Sequence, residues 1–551
     1  MLHGVIRSLL LTTLLLGGTG GRAAAQSIAD RGDASLIREQ AGREPAPLRE
    51  IASVRPLDPT PRALAANVDG ITVGAVHVEG AMAVPASAFA AAIQPYLGRE
   101  LGEGELRTLA SDVAAVARQR GYGLASARVP RQRLTNGVLR VQLDEGMIDA
   151  VEVTGDGAGA VQPLLNRLIS GRPVKTAELE RQLLLAGDAA GVSTQGARIE
   201  ERLGQRVLLL QALRRRTEGR VSTDNWGSRV VGPVVGTVSF DVNGVTGFRD
   251  RLSLSASLTA QAPEYQFASA TYTLPIASRG TEVAVSGYYG HLRPGADLRE
   301  SDLEGDSAEL RLGLTHPLLR SRSTSLWASF DAVLRNSDVD RSGLPDRRDR
   351  IRAASLGVGG LAAVGGGRLR ARITLVQGLP VLGATEEGTA LASRADGSAI
   401  FTKIEAYAYF QRALGRRFSL AAAMTGQLSA RPLLSSMEMG LGGRSFLRAF
   451  DYREVSGDSG AAAYVESRFD LGKLFGGIVG KTQIYAYADG GRVRNLRAGR
   501  GGGALASAGG GVRLSLFSGT DASFEVGVPL TDSPYNRSPK PRFSFAFSRA
   551  F

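Results

Sequence analysis

Two arginines, Arg444 and Arg448, stand in the segment LGGRSFLRAF, residues 441–450, between two stretches that alternate like β-strands. A guanidinium stays charged at any working pH, so among glycines and aromatics it must face water, line an aqueous interior or take a partner. One carboxylate lies in a suitable setting farther along: Asp489, in IYAYADGG, among apolar and small residues. Period two puts Tyr485, Tyr487 and Asp489 on one face of a strand. If that strand meets lipid, the face carrying the acid must be the other one. Arg448 and Asp489 can then pair bidentately. In a wet interior such a pair contributes about 1 kcal/mol; in a drier one, a charge left alone costs several kcal/mol. Spacing alone leaves Arg448 equally readable as a solvated loop charge, and assigns Arg444 no partner.

Other chemistry is poorly represented. The run from Gly476 to Thr482 ends like a phosphate-binding loop, but Phe475 stands where its first glycine is required. The histidines, His3, His77, His291 and His316, are dispersed and make no metal-ligand cluster. No Gly-x-Ser-x-Gly elbow stands beside a suitable histidine. Neither an enzyme nor a cofactor nor a metal is expected.

The elements that must position Arg448 and Asp489 follow from patterning. Residues 1–25 have a charged start (Arg7), an apolar run (Leu9 to Leu16) and small residues ending at Ala25, the pattern of a cleaved secretory signal. The apolar run is short of the roughly 20 residues a spanning helix needs. There is no cysteine, so neither disulfides nor thiolate sites brace the fold. The net charge of +13 is scattered along the chain and reads as solvated background, with no nucleic-acid partner expected. Residues 26–44 hold a candidate short helix capped by Asp33, and 45–70 a proline-punctuated linker.

Residues 71–148 read as β-α-α-β-β: a strand at 73–78, helices at 85–96 and 103–120, and strands at 125–129 and 138–143. The last two are separated by the turn signal Asn136-Gly137. The pattern recurs over residues 149–216. From 217 to 551 helices stop and period two takes over, as where Leu252, Leu254, Ala256 and Leu258 alternate with Ser253, Ser255, Ser257 and Thr259. About sixteen strands fit this span at roughly 21 residues each, the size of an antiparallel transmembrane barrel. The chain ends with Phe543, Phe545, Phe547 and Phe551 on one face of a final strand.

These motifs together resemble the outer-membrane transporters of two-partner secretion, the FhaC and ShlB type, over nearly the whole mature chain. Asp224-Asn225-Trp226-Gly227 resembles the family's first-barrel-strand motif. Gly121-Tyr122, Pro130-x-Gln132 and Glu145-Gly146 resemble motifs of its first POTRA domain. Leu447-Arg448-Ala449-Phe450 resembles the tip of a loop folded into the barrel, and Tyr487-x-Asp489-x-Gly491 the strand motif whose aspartate pairs with the loop arginine. Ala449 departs from the usual glycine, and alanine disfavours a left-handed tip. Phe551 resembles the terminal residue of bacterial outer-membrane barrels.

The resemblance implies two periplasmic POTRA units, a plug helix within 26–44 and a barrel in the outer membrane of a Gram-negative bacterium. It implies export of a large unfolded exoprotein without ATP. Lipid, periplasmic chaperones and the barrel-assembly machinery are the remaining implied partners. A BamA-like assembly factor and a diffusive porin are the alternatives.

Overall fold

The computed structural model describes residues 71–551, apart from 135, 229–230, 248, 262–263, 277, 475–478, 498, 500, 517–518 and 534–539. The expected leader ending at Ala25, the plug helix 26–44 and the linker 45–70 lie outside the described residues.

The first α+β unit runs through strand Ala75–Glu79, a broken helical stretch, helix Glu103–Gln119, and strands Ser126–Arg128 and Val138–Asp144. Helix Glu103–Gln119 begins where the Glu105 carboxylate accepts the Gly102 backbone N–H at 3.0 Å. Its buried Leu106, Leu109, Val113 and Ala117 recur at three- and four-residue spacing and face the sheet. The single helix expected over 85–96 is instead two 3-10 turns flanking Ala90–Ile93. Pro95 has no N–H for an α-helical bond, which ends that helix early. Asn136 and Gly137 both take left-handed φ, 55° and 69°, as a tight turn requires. Val138–Asp144 is the middle strand, parallel to Ala75–Glu79 and antiparallel to Ser126–Arg128.

The second unit repeats this order with strand Ala150–Thr154, helices Ala158–Leu165 and Thr176–Asp188, and strands Val192–Arg202 and Gln205–Arg214. Gln205–Arg214 is its middle strand. Each unit buries its own core, Phe89, Leu109 and Val141 in the first and Val161, Leu164 and Leu208 in the second.

From Thr217–Asp224 to Arg542–Ala550, sixteen antiparallel strands close into one barrel. The closing pair joins Asp224 to Ala546 and Arg220 to Ala550. Over much of the wall, apolar side chains turn outward and polar ones inward. Leu310, Leu312 and Leu314 are exposed while Glu309 is buried; Leu254 and Leu258 are exposed while Ser257 is buried. An outer apolar belt around a polar interior is the arrangement a bilayer demands.

The second α+β unit is fastened to turns at one end of the barrel. Arg320 grips Asp188 with two bonds of 2.8 Å, and Arg181 donates to the Pro317 carbonyl at 2.8 Å. Strand alternation puts the loop of residues 430–458 at the opposite end.

Candidate functional site

The 430–458 loop enters the lumen through a small hairpin in which Met439–Leu441 pairs with Val455–Gly457. Gly442 and Gly443 turn the chain at φ 115° and 98°. A side chain at Gly442 would run into the Asp451 carbonyl, so the turn needs glycine there. The loop is held inside by apolar burial: Leu441, Phe446, Leu447 and Phe450 pack with Ala423, Ala462, Val493 and Leu505 of the wall. The left-handed non-glycine residues of the loop are Leu447 (φ 59°) and Arg453 (φ 49°). The left-handed residue of the tip is therefore Leu447, two residues before Ala449, and Ala449 does not take a positive φ.

Arg448 is 6% exposed. Its Nη1 donates to Glu466 Oε2 at 2.9 Å and to Glu525 Oε2 at 3.1 Å. Asp489 takes a different part of the residue: its Oδ2 accepts the Arg448 backbone N–H at 3.1 Å, while the guanidinium Nε stays 3.8 Å away. The other Asp489 oxygen accepts the Ser507 hydroxyl. So Arg448 and Asp489 remain an ion pair at 3.8 Å without the bidentate hydrogen bonds that spacing allowed. Asp489 fixes the main chain of the tip, and two glutamates take the charge.

Glu466 also receives Arg468 at 2.6 Å and Arg513 at 2.9 Å, so one carboxylate serves three guanidiniums. Glu466 and Glu525 were not singled out from sequence. The signal was the one that exposed Asp489, an acid on the inward period of an otherwise barrel-like strand.

Aromatic faces complete the cradle. The Arg448 guanidinium lies 3.6 Å from the Tyr487 ring centroid and 5.1 Å from that of Tyr464; Arg513 lies 3.8 Å from that of Tyr485. Two glycines make these poses available. Tyr487 and Tyr485 stand across from Gly509 and Gly511. A Cβ at either glycine would come within 2.7 Å of the facing tyrosine hydroxyl. The rings therefore lie over the bare glycines and turn their faces to the arginines. Gly491 has a related part, since a Cβ there would crowd Ala462 at 2.8 Å and Leu441 of the loop root at 3.0 Å.

The first-strand motif meets the same loop. Asp224 accepts the Trp226 N–H at 3.0 Å and lies 3.9 Å from Arg444. Asn225 replaces a strand residue with its side chain: its amide donates to the Phe543 carbonyl at 2.9 Å and accepts the Phe545 N–H at 2.7 Å. Gly227 donates to the Pro233 carbonyl at 3.1 Å in the turn that follows. Phe551 closes the other end of the seam, exchanging two 2.9 Å backbone bonds with Gly219.

The remaining motif residues lie in the α+β units, away from the lumen. Glu145, 2% exposed, accepts the backbone N–H groups of Met82, Ala83 and Val84 at 3.0, 2.7 and 2.7 Å. Gln132 pairs its amide with both backbone groups of Arg140, at 2.7 and 2.9 Å, and reaches the Pro130 carbonyl at 3.3 Å. Gly121 (φ 94°) and Gly146 (φ 89°) form the joint between units, accepting the N–H groups of Thr176 at 2.8 Å and Val174 at 2.9 Å. Tyr122 lies beside them under Lys175.

A second buried ion cluster holds the loop root. Arg394, from the preceding outer loop, donates to Asp458 at 2.9 Å and Glu438 at 3.0 Å, and to the Leu496 carbonyl at 2.6 Å. Burial, with Asp458 adding to it, pushes the Glu438 carboxyl up to about 7 despite Ser456, Arg453 and Arg394 beside it.

Comparison with known proteins places this architecture. Residues 205–514 match the family described as Haemolysin secretion/activation protein ShlB/FhaC/HecB, and residues 71–146 match the POTRA domain, ShlB-type. The chain is 23% identical to the heme/hemopexin transporter protein HuxB of Haemophilus influenzae (strain 86-028NP) over 417 residues, 73% of each chain. It is 25% identical to the outer membrane transporter CdiB of Dickeya dadantii over 425 residues, 73% of this chain and 72% of that one. The solved structure of CdiB from Escherichia coli has the same fold, with a TM-score of 0.73 at 22% identity, covering 90% of this chain and 94% of that one. With more than half its length matched by one family, the chain belongs to the haemolysin secretion/activation proteins of the ShlB/FhaC/HecB type.

Proposed function

We propose that this chain is the outer-membrane pore for one large exoprotein, received unfolded in the periplasm and passed through the barrel without nucleotide. Export of an exoprotein through an outer-membrane barrel is the work of its family, and an assembly factor is not favoured. The observation that carries the finer reading is the seat of Arg448. A loop from the outer end is held at the lumenal wall by carboxylates of three strands. Removing one partner from such a buried cluster costs about 3–5 kcal/mol, because the remaining charges are left uncompensated. The loop therefore has one strongly preferred position, which suits it to hold a transport-competent barrel.

On this reading residues 1–25 are a signal peptide cleaved after Ala25, 26–44 a plug helix and 45–70 a linker. Residues 71–148 and 149–216 are POTRA units, and 217–551 the barrel. The unfolded cargo adds to an open sheet edge such as Ala75–Glu79, whose pairing among the described residues is with Val138–Asp144. It then meets a cavity of about 620 Å³ below the loop tip, lined by Trp226, Tyr409, Tyr464, Arg468 and Arg513. Folding of the cargo outside makes the movement one-way.

The outer apolar belt contacts lipid. Periplasmic chaperones and the barrel-assembly machinery deliver the chain. We assign no catalytic residue, metal, cofactor or nucleic acid. Deleting the gene tests this: loss of one protein from the medium, with other outer-membrane barrels at normal level, is expected. Broad depletion of those barrels would instead favour the assembly-factor reading.

A further inference from the structure

The first-strand motif and the loop tip approach each other at one side chain that neither motif contains. Arg542, the first residue of the last barrel strand, is 14% exposed at its side chain. Its Nη1 donates to the Phe450 carbonyl at 2.8 Å and reaches Asp451 at 3.5 Å, both in the loop tip. Its Nη2 donates to the carbonyls of Asn225 and Gly227, each at 3.2 Å, where the first strand leaves the sheet. Its guanidinium carbon lies 5.5 Å from the Trp226 ring centroid. A second bond runs parallel to this joint, from the Ser228 hydroxyl to Asp451 at 3.2 Å.

The local geometry explains why a side chain is needed there. The ladder between first and last strands covers Arg220 to Asp224, and its last backbone bond toward the loop is from the Asn225 N–H to the Phe545 carbonyl at 3.2 Å. Beyond it the Asn225 amide stands in for a peptide group against Phe543 and Phe545. The carbonyls of Asn225 and Gly227 thus lie where strand pairing ends, and the Phe450 carbonyl, which accepts the Gly443 N–H at 3.3 Å, has a second lone pair facing the same place. A buried carbonyl without a donor is costly, and a planar fork with donors on two sides satisfies groups from two elements at once.

We propose that Arg542 is a positioning residue for export: it clamps the loop tip to the first strand through the two arms of one guanidinium. The clamp is separate from the Arg448 seat, shares none of its carboxylates, and acts on the following residues of the loop. It rests on the proposed role of the loop in export, but its test has a readout that does not depend on secretion.

The chain has no native cysteine, so a Ser228→Cys variant carries one thiol, at a position that is 4% exposed and bonded to the loop tip. Its reaction with a membrane-impermeant maleimide is measured on cells, in barrels shown to be folded by heat-modifiable migration. With Arg542 present the thiol is expected to react slowly. Adding Arg542→Ala is expected to raise the rate at least about tenfold and to lower export. Arg542→Lys, which keeps the charge and favours assembly, is expected to leave the rate raised, since one ammonium cannot serve both sides. An unchanged rate in folded Arg542→Ala barrels would overturn the clamp. Full shielding with Arg542→Lys would overturn the two-armed mechanism. Raised labelling with wild-type export would keep the clamp and remove its role in export.

Discussion

Ala449 of the loop tip rests on Gly527 of the barrel wall. A Cβ built on Gly527 would stand 3.1 Å from the Ala449 Cβ, 3.0 Å from its Cα and 2.8 Å from the Tyr487 hydroxyl. The methyl of an alanine tip is accommodated because the facing wall position has none. Gly527→Ala is therefore expected to lift the tip, at an overpacking cost of about 1–3 kcal/mol, and to reduce export with the barrel still folded. Ala449→Gly alone should export normally, and in the double variant it should recover part of the loss, since it removes the methyl contact and leaves those to the Cα and to Tyr487. A double-mutant cycle on secreted protein per folded barrel measures this coupling; additive effects would show that the two residues do not meet.

The carboxylates around Arg448 should differ in rank. Glu466 serves Arg448, Arg468 and Arg513, whereas Asp489 accepts backbone N–H donation from the loop tip and the Ser507 hydroxyl and faces one guanidinium at 3.8 Å. Glu466→Gln leaves three guanidiniums without their shared counter-charge. It is expected to lower export and the thermal midpoint of the barrel more than Asp489→Asn does. The opposite ranking would make the Asp489 contact the dominant one.

The ranking depends on contacts that local sequence pattern does not specify. Asp489 stood out as an acid on a barrel strand, and period two placed it with Tyr487 on the inner face. The order of elements and the repeated α+β unit were legible because they follow from local periodicity and turn chemistry, whereas the inward loop was implied by the family resemblance. What Asp489 touches depends on register between strands. Glu466 and Glu525 lie 18 and 77 positions from Arg448, and only a closed barrel brings them to one side chain. The pairing of Tyr487 with Gly509 is likewise a cross-strand fact. The breakdown of the expected 85–96 helix had a local cause, Pro95, that periodicity alone outvoted.

The loop root should respond to pH through Glu438. Its carboxyl is raised from 4.5 to about 7 in the folded chain. Between these values the folded state holds more protons than the unfolded one, so root stability falls as pH rises through this window. Protease cleavage within the root is expected to be faster at about pH 8 than at about pH 5.5, and Glu438→Gln to flatten the difference. A pH dependence unchanged by Glu438→Gln would assign it to another group.

Glu145 should matter to the first α+β unit and not to the barrel. Its buried carboxylate satisfies three consecutive backbone donors. Leaving buried donors unpaired costs about 1–3 kcal/mol each. Glu145→Ala is expected to make residues 71–148 sensitive to protease in the full-length protein while heat-modifiable migration of the barrel is retained. A protease-resistant first unit would show that water replaces the carboxylate.

In the proposed function, export requires the loop tip to be seated at the wall by Arg448. The direct measurement is the amount of partner exoprotein in the medium from cells carrying Arg448→Ala, normalised to folded barrel in the outer membrane. At least about a tenfold fall is expected at equal folded barrel, consistent with losing a buried ion cluster of about 3–5 kcal/mol. Wild-type export at equal folded barrel would contradict it.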